Sequence, residues 1–205
     1  NDTYTNSIAK KNLEIAISAS KVLGVNENPE WKKVADGLFI PYNEQGAYHP
    51  SFENAPESKI GSVVPLLTFP LQIPMSEQAK RNNLNHAIKL LEKEGSGAMM
   101  TITLFSVVAA ELGDRELVNK LFPLSNKGYL RPPFNALAET PFSDSINFLT
   151  GAGGFLQQII FGFTGLRLTE DGLIKKYSPL LPSSVQKLRL KNFRIRNKQF
   201  DFETP

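Results

Sequence analysis

The sequence predicts an all-α body that ends in a β-rich segment. Segments of helical apolar period, opened by capping residues and closed by glycines, recur from residue 5 to residue 163. Beyond Gly172 the period changes to two, the signature of half-buried strands. The helices come in pairs joined by loops of mixed length. That spacing suits a helical bundle or an α/α barrel and does not choose between them.

Each element has a local reason. Residues 5–23 carry Ile8, Ile15, Ala16, Ala19, Val22 and Leu23, with Thr5, Asn6 and Ser7 as N-caps and Gly24 as the stop. Asn28-Pro29-Glu30-Trp31 starts a short helix, since proline suits the first helical position, and Gly37 ends it. Residues 38–52, rich in Pro, Gly, Asn and aromatics, read as a loop with short strand pieces. Residues 63–73 are apolar but carry Pro65 and Pro70, which predicts a kinked or short buried helix. Ser76 caps a helix with Leu84, Ala87, Ile88 and Leu91. Residues 97–112 form an apolar helix closed by Gly113, and Asp114 caps another with Leu117, Leu121 and Phe122. Residues 127–143 are a proline-rich connection of functional length. The last helix runs over 147–163.

A 205-residue chain with 41% hydrophobic content buries a sizeable core. No run of about 18 apolar residues predicts a membrane span, and no basic-then-apolar signal segment opens the sequence. With no cysteine there is neither disulfide nor thiolate chemistry. With His49 and His86 the only histidines, a His-rich metal site is not expected, no cofactor is implied, and acid–base work falls to carboxylates. The net charge of +3 is concentrated: Lys187, Arg189, Lys191, Arg194, Arg196 and Lys198 alternate with Leu188, Leu190 and Ile195, and the rest of the chain is net acidic. A solvated strand face accounts for this run. Only Phe193 is available for base stacking, so no nucleic-acid partner is expected.

The segment from Asn147 to Arg167 holds Thr150, Gly151, Gly153 and Gly154, then Phe155, Leu156, Ile159, Ile160 and Phe163. Glycine allows close backbone approach, to a ligand or to a neighbouring helix. The apolar residues fall at helical spacing and are expected to bury one face. Tyr48 and His49 lie in an aromatic loop that reads either as a sugar-lining segment or as surface loop.

With Tyr4-Thr5-Asn6 and Leu180-Leu181-Pro182, this segment resembles glycoside hydrolase family 65, and within it the fungal acid trehalases. The resemblance covers nearly the whole chain. It implies the second half of an (α/α)6 catalytic barrel over 1–170, followed over 171–205 by the first strands of a β-rich C-terminal domain. It also implies an inverting hydrolase that cleaves trehalose. The family's general-acid glutamate precedes a motif that appears here as Asn1-Asp2-Thr3-Tyr4-Thr5-Asn6, so the acid is expected in an N-terminal portion of the same polypeptide. Tyr4 and Asn6 are then expected near the acid's loop. Glu139, before Thr140-Pro141, matches the family's general base, where a lone loop glutamate reads otherwise as a solvated charge. Asp144 is the competing carboxylate, a sugar ligand or a helix cap. Thr150, Gly151, Gly153 and Gly154 are expected along the pocket wall, with helix packing as the alternative.

Family phosphorylases place a serine pair where Ala98 and Met99 stand, and a histidine and serine where Phe148 and Gly151 stand. These substitutions favour hydrolysis over phosphorolysis, because phosphate needs several donors and positive charge. A non-catalytic helical assembly module is the third reading. The family's Lys-Gln substrate pair is replaced by Ile60-Gly61. The Asn1-Asp2-Thr3 sequon and the resemblance together imply a glycoprotein that is extracellular, in the cell wall or vacuolar, with a homodimer as a further expectation.

Overall fold

The computed structural model describes residues 1–56, 61, 63–95, 97–143, 145–195 and 197–204. It is largely helical, with short two-stranded sheets, in two compact units, Asn1–Lys93 and Glu94–Pro205.

In the first unit, α1 spans Thr3–Leu23. It starts earlier than expected because its N-cap is Asp2, whose side chain accepts from the Thr5 amide, rather than Thr5, Asn6 or Ser7. Gly24 closes it in the left-handed conformation at φ 64°. Helix α2 (Pro29–Gly37) packs on α1 and is capped by Asn28. The loop over 38–52 carries isolated bridges between Asn43 and Tyr48 and between Asp2 and Phe52. The proline-bearing segment yields a 3-10 turn, Val64–Leu67. Val64 and Leu67 are fully buried, and Tyr4, Tyr48, Leu71, Ile73 and Met75 pack against them. Helix α3 (Glu77–Glu94) begins at Ser76, whose hydroxyl oxygen accepts from the Ala79 amide at 3.1 Å.

His49 is not a surface-loop residue. It is buried against α3, where the Asn83 amide nitrogen lies 3.1 Å from Nδ1 and the Asn83 carbonyl accepts from the His49 amide at 2.8 Å. This arrangement suits an imidazole with its proton on Nε2, and burial lowers its pKa below the usual histidine value.

In the second unit, α4 (Met99–Glu111) is buried nearly all round and packs against α5 (Arg115–Leu124), α6 (Leu149–Gln157) and a π-helical turn, Gln158–Phe163. Asp114 caps α5, accepting from the Leu117 amide at 2.9 Å. The proline-rich connection contains an unexpected hairpin, β1 (Leu130–Arg131) with β2 (Ala136–Leu137). The expected helix over 147–163 instead starts at Leu149 and finishes in the π turn. Strands β3 (Leu166–Thr169) and β4 (Gly172–Lys175) pair antiparallel, as do β5 (Arg189–Ile195) and β6 (Lys198–Glu203). In the β5–β6 hairpin Lys187 and Arg189 both pair with Glu203. Among the described residues no helix is long and apolar enough to cross a membrane.

The fully buried positions of α6 and the π turn are Gly151, Gly154, Gln158, Gly162 and Phe163; of the expected apolar stripe Phe163 is buried, Phe155, Ile159 and Ile160 are half-buried, and Leu156 is 57% exposed. At Gly151, Gly154 and Gly162 the chain comes close to α4, and a side chain at any of these three positions would crowd Met99, Thr103 or Val107. Where α4 ends, Glu111 meets Arg167 at 2.7 Å, with side chains only 3% and 1% exposed. Arg167 also donates to the carbonyls of Phe161 and Leu166, both at 2.8 Å, and lies 4.7 Å from the Tyr177 ring. Burial beside Glu111 pushes the Tyr177 hydroxyl up to about 12.

Glu111→Ala leaves a buried guanidinium without its carboxylate and is expected to cost about 3–5 kcal/mol in urea denaturation, whereas Glu111→Leu with Arg167→Met is expected to cost far less. For His49 the lowered pKa fixes the sign: its contribution to stability is complete above about pH 6.5 and is lost as pH falls towards the folded-state value. Denaturation midpoints of wild type and His49→Gln across that range should therefore converge on acidification.

Candidate active site

The candidate site is built at the amino end of α4. Ala98 occupies the N-cap position without a side-chain cap, and the first amide of the helix, Met99 N–H, donates to the Glu139 carbonyl at 2.9 Å. The backbone of Glu139 therefore serves as the missing cap. On the preceding side, Ala138 is fully buried and its amide donates to the Tyr129 carbonyl at 2.8 Å. Tyr129 is itself buried and donates from its hydroxyl to the Gly97 carbonyl at 2.7 Å, and burial pushes its pKa up to about 12. The Glu139 side chain is exposed, and among the described residues its carboxylate has no hydrogen-bond or ion-pair partner. A fixed backbone thus carries a free carboxylate.

The glycine-rich helix meets the same end of α4. The Phe148 amide donates to the Leu137 carbonyl at 2.9 Å, which ties the start of α6 to the hairpin. A Cβ on Gly151 would stand 3.0 Å from the Met99 sulfur, and one on Gly154 would stand 2.3 Å from the Thr103 hydroxyl oxygen. These two glycines face α4. Gly153 looks into open space, and Thr150 is exposed. Glu139, Thr150 and Gly153 are therefore accessible parts of one unit, while Gly151 and Gly154 hold the helix in place.

The remaining expected residues fall elsewhere. Tyr4 and Asn6 belong to the first unit. Tyr4 packs against Val64 and Leu67, and the Asn6 side chain donates to the Phe39 carbonyl at 2.6 Å. Asn1, of the sequon, donates to Glu53 at 2.8 Å, and Thr3 is buried. Asp144 and Ile60 lie outside the described residues. Among the described residues no group of three or more His, Asp or Glu side chains is placed to hold a metal ion. Two clefts of about 370 and 490 Å³ form around Leu181 and Ser183, away from Glu139.

Two features escaped the sequence reading. Phe134 and Phe142, 90% and 85% exposed, flank Glu139 along the chain. Arg131, in the proline-rich connection, donates to a series of main-chain carbonyls there. Its position between Leu130 and Pro132 was the available signal.

No family model matches the chain. Individual proteins do. The chain is 37% identical over 194 residues to the protein-glucosylgalactosylhydroxylysine glucosidase of Danio rerio, covering 93% of this chain and 29% of that protein. It is 31% identical over 201 residues to the kojibiose hydrolase of Flavobacterium johnsoniae, covering 98% and 29%. It is 31% identical over 214 residues to a periplasmic/secreted acid trehalase of Candida glabrata, covering 93% and 17%. The chain thus spans less than a third of the length of these relatives.

If packing is the role of Gly154, Gly154→Ala costs about 1–3 kcal/mol in thermal or urea unfolding. Adding Thr103→Ala should recover part of that loss. At Gly153 the same change should stabilise by about 0.5–1 kcal/mol, since the position is helical and open.

Proposed function

We propose a function on a premise that the relatives supply: this chain is glycoside hydrolase family 65-like over nearly its whole length, with fungal acid trehalases among its relatives. The chain forms the C-terminal half of an (α/α)6 catalytic barrel over 1–170, and 171–205 opens a β-rich domain. The complete polypeptide is an inverting α-glucosidase. Glu139 is its general base, and the general acid comes from residues outside these 205, N-terminal to the Tyr4-Thr5-Asn6 motif.

In the reaction the Glu139 carboxylate takes a proton from a water molecule as the water oxygen bonds to the anomeric carbon. The glycosidic C–O bond breaks on the opposite face, and the acid delivers its proton to the leaving oxygen. Glu139 ends protonated, the acid ends ionised, and exchange with solvent restores both. Thr150, Gly153 and Asp144 are assigned to sugar contacts. Tyr4 and Asn6 are assigned to support of the acid's loop.

The observation that carries this reading is the exposed Glu139 carboxylate, unpartnered among the described residues, on a backbone held by Met99 and Ala138. Hydrolysis is favoured over phosphorolysis by the same helix end, where Met99 is fully buried and its amide is taken by Glu139. Trehalose is the first substrate to test and kojibiose the second, following the relatives' names. We assign the protein to the cell exterior, cell wall or vacuole, a reading supported by relatives named as periplasmic/secreted and cell-wall trehalases.

The test is sugar release by the complete polypeptide from trehalose and from kojibiose, with and without phosphate. Free glucose without phosphate is the expected result, with the unit attacked by water appearing as the β-anomer and, from trehalose, an equal amount of α-anomer from the leaving unit. Glu139→Gln should lower kcat on the order of 10²–10⁴-fold, with unfolding unchanged. Glucose 1-phosphate formed only with phosphate would overturn the hydrolase, and full activity in Glu139→Gln would overturn the base.

A further inference from the structure

We propose that Arg131 is a positioning residue for Glu139, a guanidinium clasp that closes the loop over 128–143 and sets where the carboxylate stands. The inference rests on the reading of Glu139 as general base.

The hairpin that carries the loop is too short to hold it. Strands β1 and β2 pair through only Leu130 with Leu137 and Arg131 with Ala136, and an isolated ladder of that size has no independent stability. Past Ala138 the chain leaves the ladder at the point where Glu139 must be fixed. Arg131 supplies what the ladder lacks. Its Nη1 donates to the carbonyls of Gly128 at 2.9 Å and Leu130 at 3.3 Å, on the outgoing arm. Its Nη2 donates to the carbonyls of Thr140 at 3.1 Å, Pro141 at 2.8 Å and Ser143 at 3.0 Å, on the returning arm. The arms are in close contact there, since a Cβ on Gly128 would stand 3.4 Å from the Pro141 ring.

The chemistry suits arginine in particular. A planar fork of donors spans carbonyls on two arms, whereas an ammonium on a flexible stem is a point charge. Charged donors also make stronger bonds to carbonyls than neutral ones. Glu139 is bracketed as a result: Ala138 is tied to Tyr129 on one side and Thr140 to Arg131 on the other. Its backbone is held while its side chain stays free for water. Releasing the second side leaves the base present but displaced, and displacement by about 1 Å costs on the order of 10²-fold in rate.

The test uses the complete polypeptide and α-D-glucosyl fluoride, whose fluoride leaves without a proton, so that turnover reports water activation. Wild type, Arg131→Ala, Arg131→Lys, Glu139→Gln and the double variant Arg131→Ala/Glu139→Gln are compared. Arg131→Ala should lower kcat on the order of 10–10²-fold with KM held within about twofold, and Arg131→Lys should not restore it. Added to Glu139→Gln, the alanine change should cause no further loss, because it acts through a base already removed. Hydrogen exchange should show the Ser143 amide, which donates to the Thr140 carbonyl at 3.2 Å, opening in Arg131→Ala while α4 and α6 stay protected. Wild-type kcat in Arg131→Ala beside an inactive Glu139→Gln overturns the clasp alone. So does an equal further loss in the double variant, or continued protection of the Ser143 amide. Wild-type turnover in Glu139→Gln removes the base reading, and the clasp's catalytic role with it.

Discussion

The second unit depends on one buried ion pair, Glu111 with Arg167. Two charges nearly shut off from water carry a desolvation cost that their attraction offsets only when the geometry is good and the remaining donors are used. Arg167 goes part of the way to that condition: Nη1 donates to the Phe161 and Leu166 carbonyls while Nη2 pairs with Glu111 at 2.7 Å. Phe161 belongs to the π turn and Leu166 to β3, so one side chain joins the end of α4 to the exit of the glycine-rich helix and the first strand beyond it. Gly165 makes the geometry feasible. It adopts φ 73°, and a Cβ there would stand 2.2 Å from the Tyr177 carbonyl oxygen. The change from helix to strand is therefore set by a polar contact as much as by a switch in hydrophobic period.

From that anchor the rest of the unit follows along α4. Gly162 approaches Val107, Gly154 approaches Thr103 and Gly151 approaches Met99, so the glycines track the length of the helix towards its amino end. A gap of one methylene anywhere in such a close-packed seam is felt along it. At the amino end the Glu139 carbonyl completes the helix, so the candidate base is registered to the same axis as the buried ion pair. The loop is mobile in principle only between the points where it is tied, and those ties lie on both sides of Glu139.

Much of this was legible in the sequence because it is local. Gly24, Asn28 with Pro29, Ser76 and Asp114 each act within a turn of their own position, and each marks the helix end it suggested. Where the reading differed, a distant partner decided. Asp2 takes the first cap although Thr5, Asn6 and Ser7 are all able caps, and the amide of Thr3 is drawn to Ser51, 48 residues away in the chain, at 2.9 Å. The apolar stripe of the last helix read as the buried face; Phe163 is buried and Phe155, Ile159 and Ile160 half-buried, yet Gly151 and Gly154 are buried more fully and Leu156 is exposed, because closeness to α4 outweighs the burial of Leu156. Glu139 stood out only by resemblance. Nothing in its neighbours signals that its backbone caps a helix 40 residues earlier.

The arrangement also bears on which part of such an enzyme would choose its substrate. Water activation asks for one carboxylate held in place, and on the proposed reading a short clasped loop does that. Discrimination between one glucoside and another asks for several polar groups that are left unpaired by the wrong sugar. Around Glu139 the large exposed apolar neighbours in sequence include Phe134, Phe142 and Leu149, which offer surface but no hydrogen bonds, and Asn135 and Thr150 are exposed polar ones. Relatives named for three different glucosides are each 31–37% identical over nearly the whole of this chain. On the proposed reading, a loop that supplies the base alone is compatible with all three. Selectivity would then be set by polar groups contributed from beyond this loop, and exchanging the loop between two such relatives would transfer rate without transferring preference.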